Sequence, residues 1–162
     1  MLEELMPLAA RVAETLKARG QTVAVADGAT GGLISAGLLA IAGATGFYMG
    51  GGVIYSLKGR DVLLDLEPEA LKGMRSVTEP YALLQARAIR DRFGADWGVA
   101  ESGSAGPGKH PFGAEAGMSA IAVAGPGVEL SRIVRTGQAD RAGNMQSFAL
   151  AAIGLLDEAL RS

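Results

Sequence analysis

The sequence predicts an α/β protein: a three-layer α/β/α sandwich around a mixed sheet, folded as one domain. Three observations carry this. Segments with helical and with strand-like apolar spacing alternate along the early part of the chain, the pattern of a parallel sheet covered by helices. Two consecutive strand-like segments then flank Gly125-Pro126-Gly127, a hairpin signal that adds antiparallel strands to the sheet. Finally, the 162 residues are 49% hydrophobic and show neither linker nor repeat, which suits a single core.

The elements follow in order. Glu3 to Arg19 carries Leu5, Leu8, Ala9, Val12 and Leu16 near helical spacing, and Gly20 stops it. Thr22 to Ala26 is a short apolar run and reads as a buried strand. Thr30 to Ala42 reads as a helix of small residues, capped by Thr30 and ended by Gly43. Phe47 to Ser56 reads as a strand whose glycines admit a neighbouring backbone. Gly59 to Leu66 forms a short helix or turn closed by Glu67-Pro68. Thr78-Glu79-Pro80 opens a helix that runs to Phe93 and stops at Gly94. Trp97 to Ser102 is a strand, and Gly103 to Glu115 is a polar loop. Met118 to Ala124 and Leu130 to Thr136 make the hairpin. Asp140 to Leu160 closes the chain as a helix.

Composition narrows the function. Charged residues are 20% with a net charge of −2, and no basic stripe is present, so no nucleic-acid partner is expected. Cysteine is absent, which removes disulfides and thiolate metal sites and fits a cytoplasmic location. Met1-Leu2-Glu3-Glu4 lacks the basic start of a signal peptide. The stretch between Asp27 and Lys58 has no charge, but nine glycines and a change of pattern break it up, so no membrane span is expected. Glycine reaches 24 residues, about twice the usual share, without a repeat, which points to tight turns and close packing.

Three loops hold the candidate chemistry. Asp27-Gly28-Ala29-Thr30-Gly31-Gly32 leaves a buried strand and opens a helix, a turn that aims amide N–H groups and a helix dipole at one spot and suits a phosphate or oxyanion. It matches neither a P-loop nor a dinucleotide fingerprint. Tyr55 and Ser56 end the next strand, with Lys58 and Arg60 following as anion partners. Glu101-Ser102-Gly103-Ser104 brings a carboxylate and two hydroxyls to a third strand end. Ligands of such sheets sit beyond the carboxyl ends of the parallel strands, so the turns after Ala26 and Ala100 are expected to share one pocket. Arg141, at the start of the last helix, is a further phosphate partner. His110 is the only histidine and lies in a loop, where a solvated role is the simpler one. Asp27, Glu101 and His110 show no ligand spacing, so neither metal nor other cofactor is expected.

Taken together, these segments resemble the C-terminal domain of the competence/damage-inducible protein CinA and its stand-alone relatives, over roughly Leu8 to Leu160. The family's Ala-Glu-Ser-Cys-Thr-Gly-Gly falls on Ala26 to Gly32. Its Phe…Gly-Gly-Val-x-x-Tyr-Ser-Asn-x-x-Lys falls on Phe47 to Arg60. Its Val-Ser/Thr-Glu helix start falls on Val77-Thr78-Glu79-Pro80, and its Thr-Gly-x-Ala-Gly-Pro on Ser102 to Pro107. The Gly-Asp/Asn-Arg start of the family's last helix is matched loosely by Gly137 to Arg141. The resemblance implies the same α/β/α sandwich. Several members are nicotinamide mononucleotide (NMN) deamidases, which hydrolyse the amide to the acid and ammonia with a serine nucleophile and a lysine base.

The resemblance breaks at the chemistry. The serine position is Gly28, the cysteine Ala29, the lysine Arg60 and the asparagine Leu57. Thr30, Gly31, Gly32, Tyr55 and Ser56 match, with Asp27 for Glu and Ser102 for Thr. Glycine has no attacking atom, and an arginine stays protonated near neutral pH and cannot serve as a base. The expected function is therefore a nucleotide- or phosphate-binding domain of diverged or lost catalysis, with Gly28, Thr30, Gly31, Gly32, Tyr55, Ser56, Lys58, Arg60, Gly103 and Arg141 around the ligand. The alternative is amide hydrolysis of NMN or a related nucleotide by a displaced group: Ser102 or Ser104 as nucleophile, or Asp27 or Glu101 activating water. A third possibility is a scaffold, with the uncharged 28–57 stretch as an interface. A symmetric homo-oligomer is the default expectation.

Overall fold

Five strands form one sheet in the order β2-β1-β3-β4-β5 in the computed structural model, which describes all 162 residues. They are β1 (Val23–Asp27), β2 (Tyr48–Val53), β3 (Trp97–Ser104), β4 (Met118–Gly125) and β5 (Val128–Arg135). β1 pairs in parallel with both β2 and β3, and the β3–β4 and β4–β5 pairs are antiparallel. The mixed sheet is thus the predicted one. The hairpin closes at Gly125 opposite Val128, with Gly127 in the left-handed region.

The helices are α1 (Leu2–Arg19), α2 (Leu33–Leu39), α3 (Leu57–Leu64), α4 (Pro68–Leu71), α5 (Glu79–Phe93) and α6 (Arg141–Leu160). The period-2 alternation of strand side chains separates two cores. On one face Val23, Val25, Val99, Ile121 and Val123 pack with α1, α2 and α6 residues such as Leu5, Leu16, Ile34, Leu38, Ile153 and Leu156. On the other, Ala24, Ala26, Ala100, Ala120, Ala122 and Ala124 meet Ala82, Ala86 and Ile89 of α5. The alanine face lets α5 lie close to the sheet. A β-carbon on Gly98 would stand 2.0 Å from the Ala86 carbonyl oxygen. No helix is long and apolar enough to cross a membrane.

Several boundaries differ from the sequence reading: β3 runs on to Ser104, into the expected loop, β5 starts at Val128, α2 ends at Leu39 and α3 spans Leu57–Leu64. Three further differences have a clear cause. The helix expected from Thr30 starts only at Leu33, because Gly31 and Gly32 take positive φ (64° and 102°) and end any helical path through them. Thr30 is not its cap: the Asp27 carboxylate is, accepting from the N–H groups of Ile34 (2.9 Å) and Ser35 (3.2 Å). The second strand ends at Val53, since Ser56 already caps α3 by accepting from the Gly59 N–H at 2.9 Å. The short α4 at Pro68–Leu71, with Pro68 in its first turn, lies where the sequence reading placed only a closing Glu67-Pro68.

Candidate functional site

β1 and β3 run side by side, with Ala26 opposite Ala100, and their carboxyl ends open on a cleft of about 360 Å³. Four segments build it. The turn after β1 supplies Gly28 and Ala29, the β2–α3 connection supplies Ile54 to Leu57, and β3 with its following loop supplies Ser102 to Gly106 and Gly108 to Pro111. The fourth contribution comes from two helices: Ser76 shortly before α5, Tyr81 and Gln85 within its first two turns, and Arg141 at the start of α6.

Two buried carboxylates hold the floor of this site rather than face it. Glu101 is fully buried. Its Oε2 accepts from the Gly28 and Thr30 N–H groups at 3.1 and 2.9 Å, and its Oε1 accepts from the Ser119 hydroxyl at 2.6 Å. Burial pushes its pKa up, and the bonds from Ser119 and Thr30 oppose that. Asp27, also buried, accepts from the Thr30 hydroxyl at 2.6 Å and from Ile34 and Ser35, including the Ser35 hydroxyl at 2.8 Å. Every carboxylate oxygen of the pair is engaged, and neither residue lines the cleft. A water-activating role for Asp27 or Glu101 therefore has no geometric basis.

The same bonds revise the reading of the glycine-rich turn. An external anion was expected at its amides. Glu101 already fills that position from within the protein, occupying the Gly28 and Thr30 amides, while the Gly31 N–H donates to the Gly28 carbonyl at 3.0 Å. Thr30 is fully buried, and Thr30, Gly31 and Gly32 lie outside the cleft. Of this motif only Gly28 and Ala29 reach it.

Gly28 is there for space. A β-carbon at this position would meet the Glu101 carbonyl oxygen at 2.2 Å, a backbone atom that cannot rotate away. The turn after β1 thus lies directly on β3, and position 28 offers no side chain to the cleft.

Ser102 and Ser104 both line it. The Ser102 hydroxyl accepts from the Val77 N–H at 3.0 Å, so its own proton is free to donate into the cleft. Val77 adopts φ 60°, a rare conformation for a β-branched residue, which places that N–H against Ser102. Ser104 is nearly buried and makes only a long 3.4 Å bond to the Ala114 carbonyl.

The mouth is basic and tied together by Arg141. Its guanidinium donates to the Gly106 carbonyl at 2.6 Å and to the Tyr55 hydroxyl at 3.2 Å, clamping the 105–111 loop to the β2–α3 connection. Asn144, one turn further along α6, donates to the Ala105 carbonyl at 2.9 Å and steadies the same loop. Lys109 is the second cation of the cleft and is exposed. His110 lines the cleft too. Its Nδ1 accepts from the Phe112 N–H at 3.1 Å, and burial pulls its pKa down. In its neutral form the proton therefore sits on Nε2, which makes it a donor.

The structure thus brings together Gly28, Tyr55, Ser56, Ser102, Gly103, Ser104 and Arg141 of the predicted set. Lys58 and Arg60 stay outside the cleft. Arg60 pairs with Asp61 at 3.0 Å and neighbours the Tyr81 hydroxyl. Ser76, Tyr81, Gln85 and Lys109 were missed. A signal existed for Gln85, a polar residue inside the buried stripe Tyr81, Ala82, Ala86, Ile89 of α5. No group of three or more histidine, cysteine, aspartate or glutamate side chains is arranged to hold a metal.

The family model described as CinA C-terminal domain matches residues 5–160. A CinA-like protein of Prochlorococcus marinus (strain MIT 9313) is 40% identical over 119 residues, covering 74% of this chain and 28% of that protein. A CinA-like protein of Chlorobium phaeovibrioides is 34% identical over 157 residues, covering 93% of this chain and 36% of that protein. The chain thus spans about a third of the length of the curated relatives it matches. Among solved structures, a competence-damaged protein (CinA) superfamily protein from Klebsiella pneumoniae superposes with a TM-score of 0.88 at 30% identity, covering 97% of this chain and 98% of that one. The competence/damage inducible protein CihA from Agrobacterium tumefaciens gives 0.88 at 28% identity, with 98% and 96% covered.

Proposed function

The chain belongs to the CinA C-terminal domain family, and from that premise we propose that it binds a small phosphorylated ligand of mononucleotide size without the serine–lysine amide hydrolysis implied by its resemblance to the family's deamidases. The observation that carries this reading is position 28. It holds no nucleophile, and the Glu101 carbonyl occupies the space a side chain there needs. The lysine position fares no better, because Arg60 lies outside the cleft against Asp61.

What remains suits binding. A volume of about 360 Å³ falls in the range of small-molecule pockets. Arg141 and Lys109 supply positive charge at the mouth for a phosphate, Arg141 with the fork geometry that favours it. Hydroxyls of Ser56, Ser76, Ser102 and Ser104 offer partners to a sugar.

Hydrolysis by a displaced group rests on Ser102, whose proton is free. That route lacks a base: His110 already uses its Nδ1 lone pair to accept from Phe112. One experiment tests both readings. The purified protein is incubated with NMN, AMP and ribose 5-phosphate, thermal stability is followed, and ammonia release from NMN is measured. Stabilisation without ammonia is expected. Turnover of NMN by the native protein overturns the loss of catalysis. Absence of stabilisation by all three at millimolar concentration overturns the binding reading.

A further inference from the structure

We infer that Gln85 is the residue that selects the ligand, by reading a neutral, planar head group that carries a hydrogen-bond donor beside an acceptor. The inference rests on the phosphorylated-ligand reading above and adds to it the chemistry of the head group that meets Gln85.

Gln85 is 2% exposed, among the most buried polar residues of the chain. It sits on the sheet-facing side of α5, one turn after Tyr81, and both line the cleft. Other buried polar side chains are engaged within the protein: Asp27, Thr30, Glu101, Ser119 and Asn144 all make short hydrogen bonds. Gln85 makes none. No sealed side-chain nitrogen or oxygen lacks a partner, so the amide of Gln85 is open, and the cleft is the space that Gln85 lines. An amide that finds partners only through the cleft adds nothing to packing that methionine or leucine would not supply in the same volume.

The chemistry of the amide sets the class of ligand. A glutamine side chain presents a carbonyl and an NH₂ in one plane, and it pairs with a partner that offers a donor and an acceptor side by side. Primary carboxamides do so, and so does the amino edge of adenine. A carboxylate offers acceptors only. The buried lining of the cleft, Tyr81, Ser104 and Ala105 among it, holds no cation, so it offers a negative head no charged partner. Positive charge is confined to Arg141 and Lys109. The cleft therefore combines cations on its exposed rim, Arg141 and Lys109, with a neutral donor–acceptor group in its buried wall.

The test compares the native protein with Gln85→Met and Gln85→Leu by calorimetric titration and thermal unfolding. The ligands are NMN, AMP, nicotinate mononucleotide and ribose 5-phosphate. NMN and AMP separate a carboxamide from a nucleobase as the source of the head. Nicotinate mononucleotide replaces the carboxamide by a carboxylate, and ribose 5-phosphate has no head. We expect NMN or AMP to bind the native protein about tenfold or more tightly than nicotinate mononucleotide does. Either substitution should erase that preference, leave ribose 5-phosphate binding unchanged and raise the Tm of the free protein. The rise in Tm separates ligand reading from a structural role, which would lower it. Ribose 5-phosphate that binds while both variants keep the native preference overturns the role of Gln85 alone. Failure of every ligand to bind the native protein overturns the phosphorylated-ligand reading and this inference with it.

Discussion

Gly28 and Glu101 are joined twice. The Gly28 N–H donates to the Glu101 carboxylate at 3.1 Å, and the Glu101 carbonyl fills the space where a β-carbon of residue 28 would stand, 2.2 Å away. One residue of β3 thus dictates both the path of the turn after β1 and the identity of the residue within it. A glycine at position 28 thus sets how closely the turn approaches β3, besides leaving the position without a side chain.

A serine at position 28 should therefore cost stability. Gly28→Ser and Gly28→Ala force the turn away from β3, with a destabilisation of about 1–3 kcal/mol, as expected for overpacking. The alanine variant matters because it carries no nucleophile, so a shared loss of Tm isolates the steric term. Ammonia release from NMN should stay absent in Gly28→Ser, also when combined with Arg60→Lys. A Tm equal to native in both single variants would show that the turn relaxes freely.

Glu101 separates two replacements. Glu101→Ala strands the buried N–H groups of Gly28 and Thr30 and should cost about 2–5 kcal/mol. Glu101→Gln keeps the Oε2 acceptor, and its NH₂ can donate to the Ser119 hydroxyl once that group turns, so its loss is small. The two also predict a pH dependence. Burial raises the folded pKa of Glu101 above the usual 4.5. The folded state then holds this proton more tightly than the unfolded chain does. Its contribution is fully present below pH 4.5 and fades as pH rises through the folded value. Glu101→Gln cannot lose a proton, so its Tm relative to native should climb as pH is raised from about 4 through that window. A difference that falls with pH would show that the three donors, not burial, govern the group.

Much of this architecture is legible in the sequence, and the reasons differ by element. The valine–alanine alternation of β1 and the apolar spacing of α1 report directly on burial, because packing reads those periodicities. The shared opening of the turns after β1 and β3 follows from topology. What the sequence could not tell is which way a strand-end carboxylate points. Asp27 and Glu101 look like ligands of a pocket, yet they turn under the loop and serve its amides. Local sequence holds the same signal for both, since an amide nest attracts an internal carboxylate as readily as a phosphate. Gln85 was only half legible: its polarity stands out in the buried stripe of α5, but that stripe reports core, and only the neighbouring loops make that core a cleft.

Asn144 should prove structural for the cleft without touching its chemistry. It is 2% exposed, donates to the Ala105 and Gln138 carbonyls at 2.9 and 3.0 Å, and accepts from the Thr136 hydroxyl at 2.6 Å. Asn144→Leu leaves those groups unpaired and should cost about 2–4 kcal/mol. Freed of this anchor, the 105–111 loop should exchange its amide hydrogens faster, while those of β1 and β3 keep their order of protection. Uniform loss of protection across the sheet would contradict a local role.

Arg141 should carry the phosphate contribution. Its guanidinium is held in place by Gly106 and Tyr55 and still lines the cleft, so the fork is preorganised before any ligand arrives. Charge-assisted bonds of this kind contribute roughly 1.5–3 kcal/mol each, so Arg141→Ala should weaken mononucleotides about 10- to 100-fold. Arg141→Lys keeps the charge but loses the fork and should fall between the two. The decisive comparison is the ligand without phosphate: nucleoside affinity should change little in Arg141→Ala, so that the gap between nucleotide and nucleoside closes. Equal losses for both would mean that Arg141 acts through the loop it clamps and not through the phosphate.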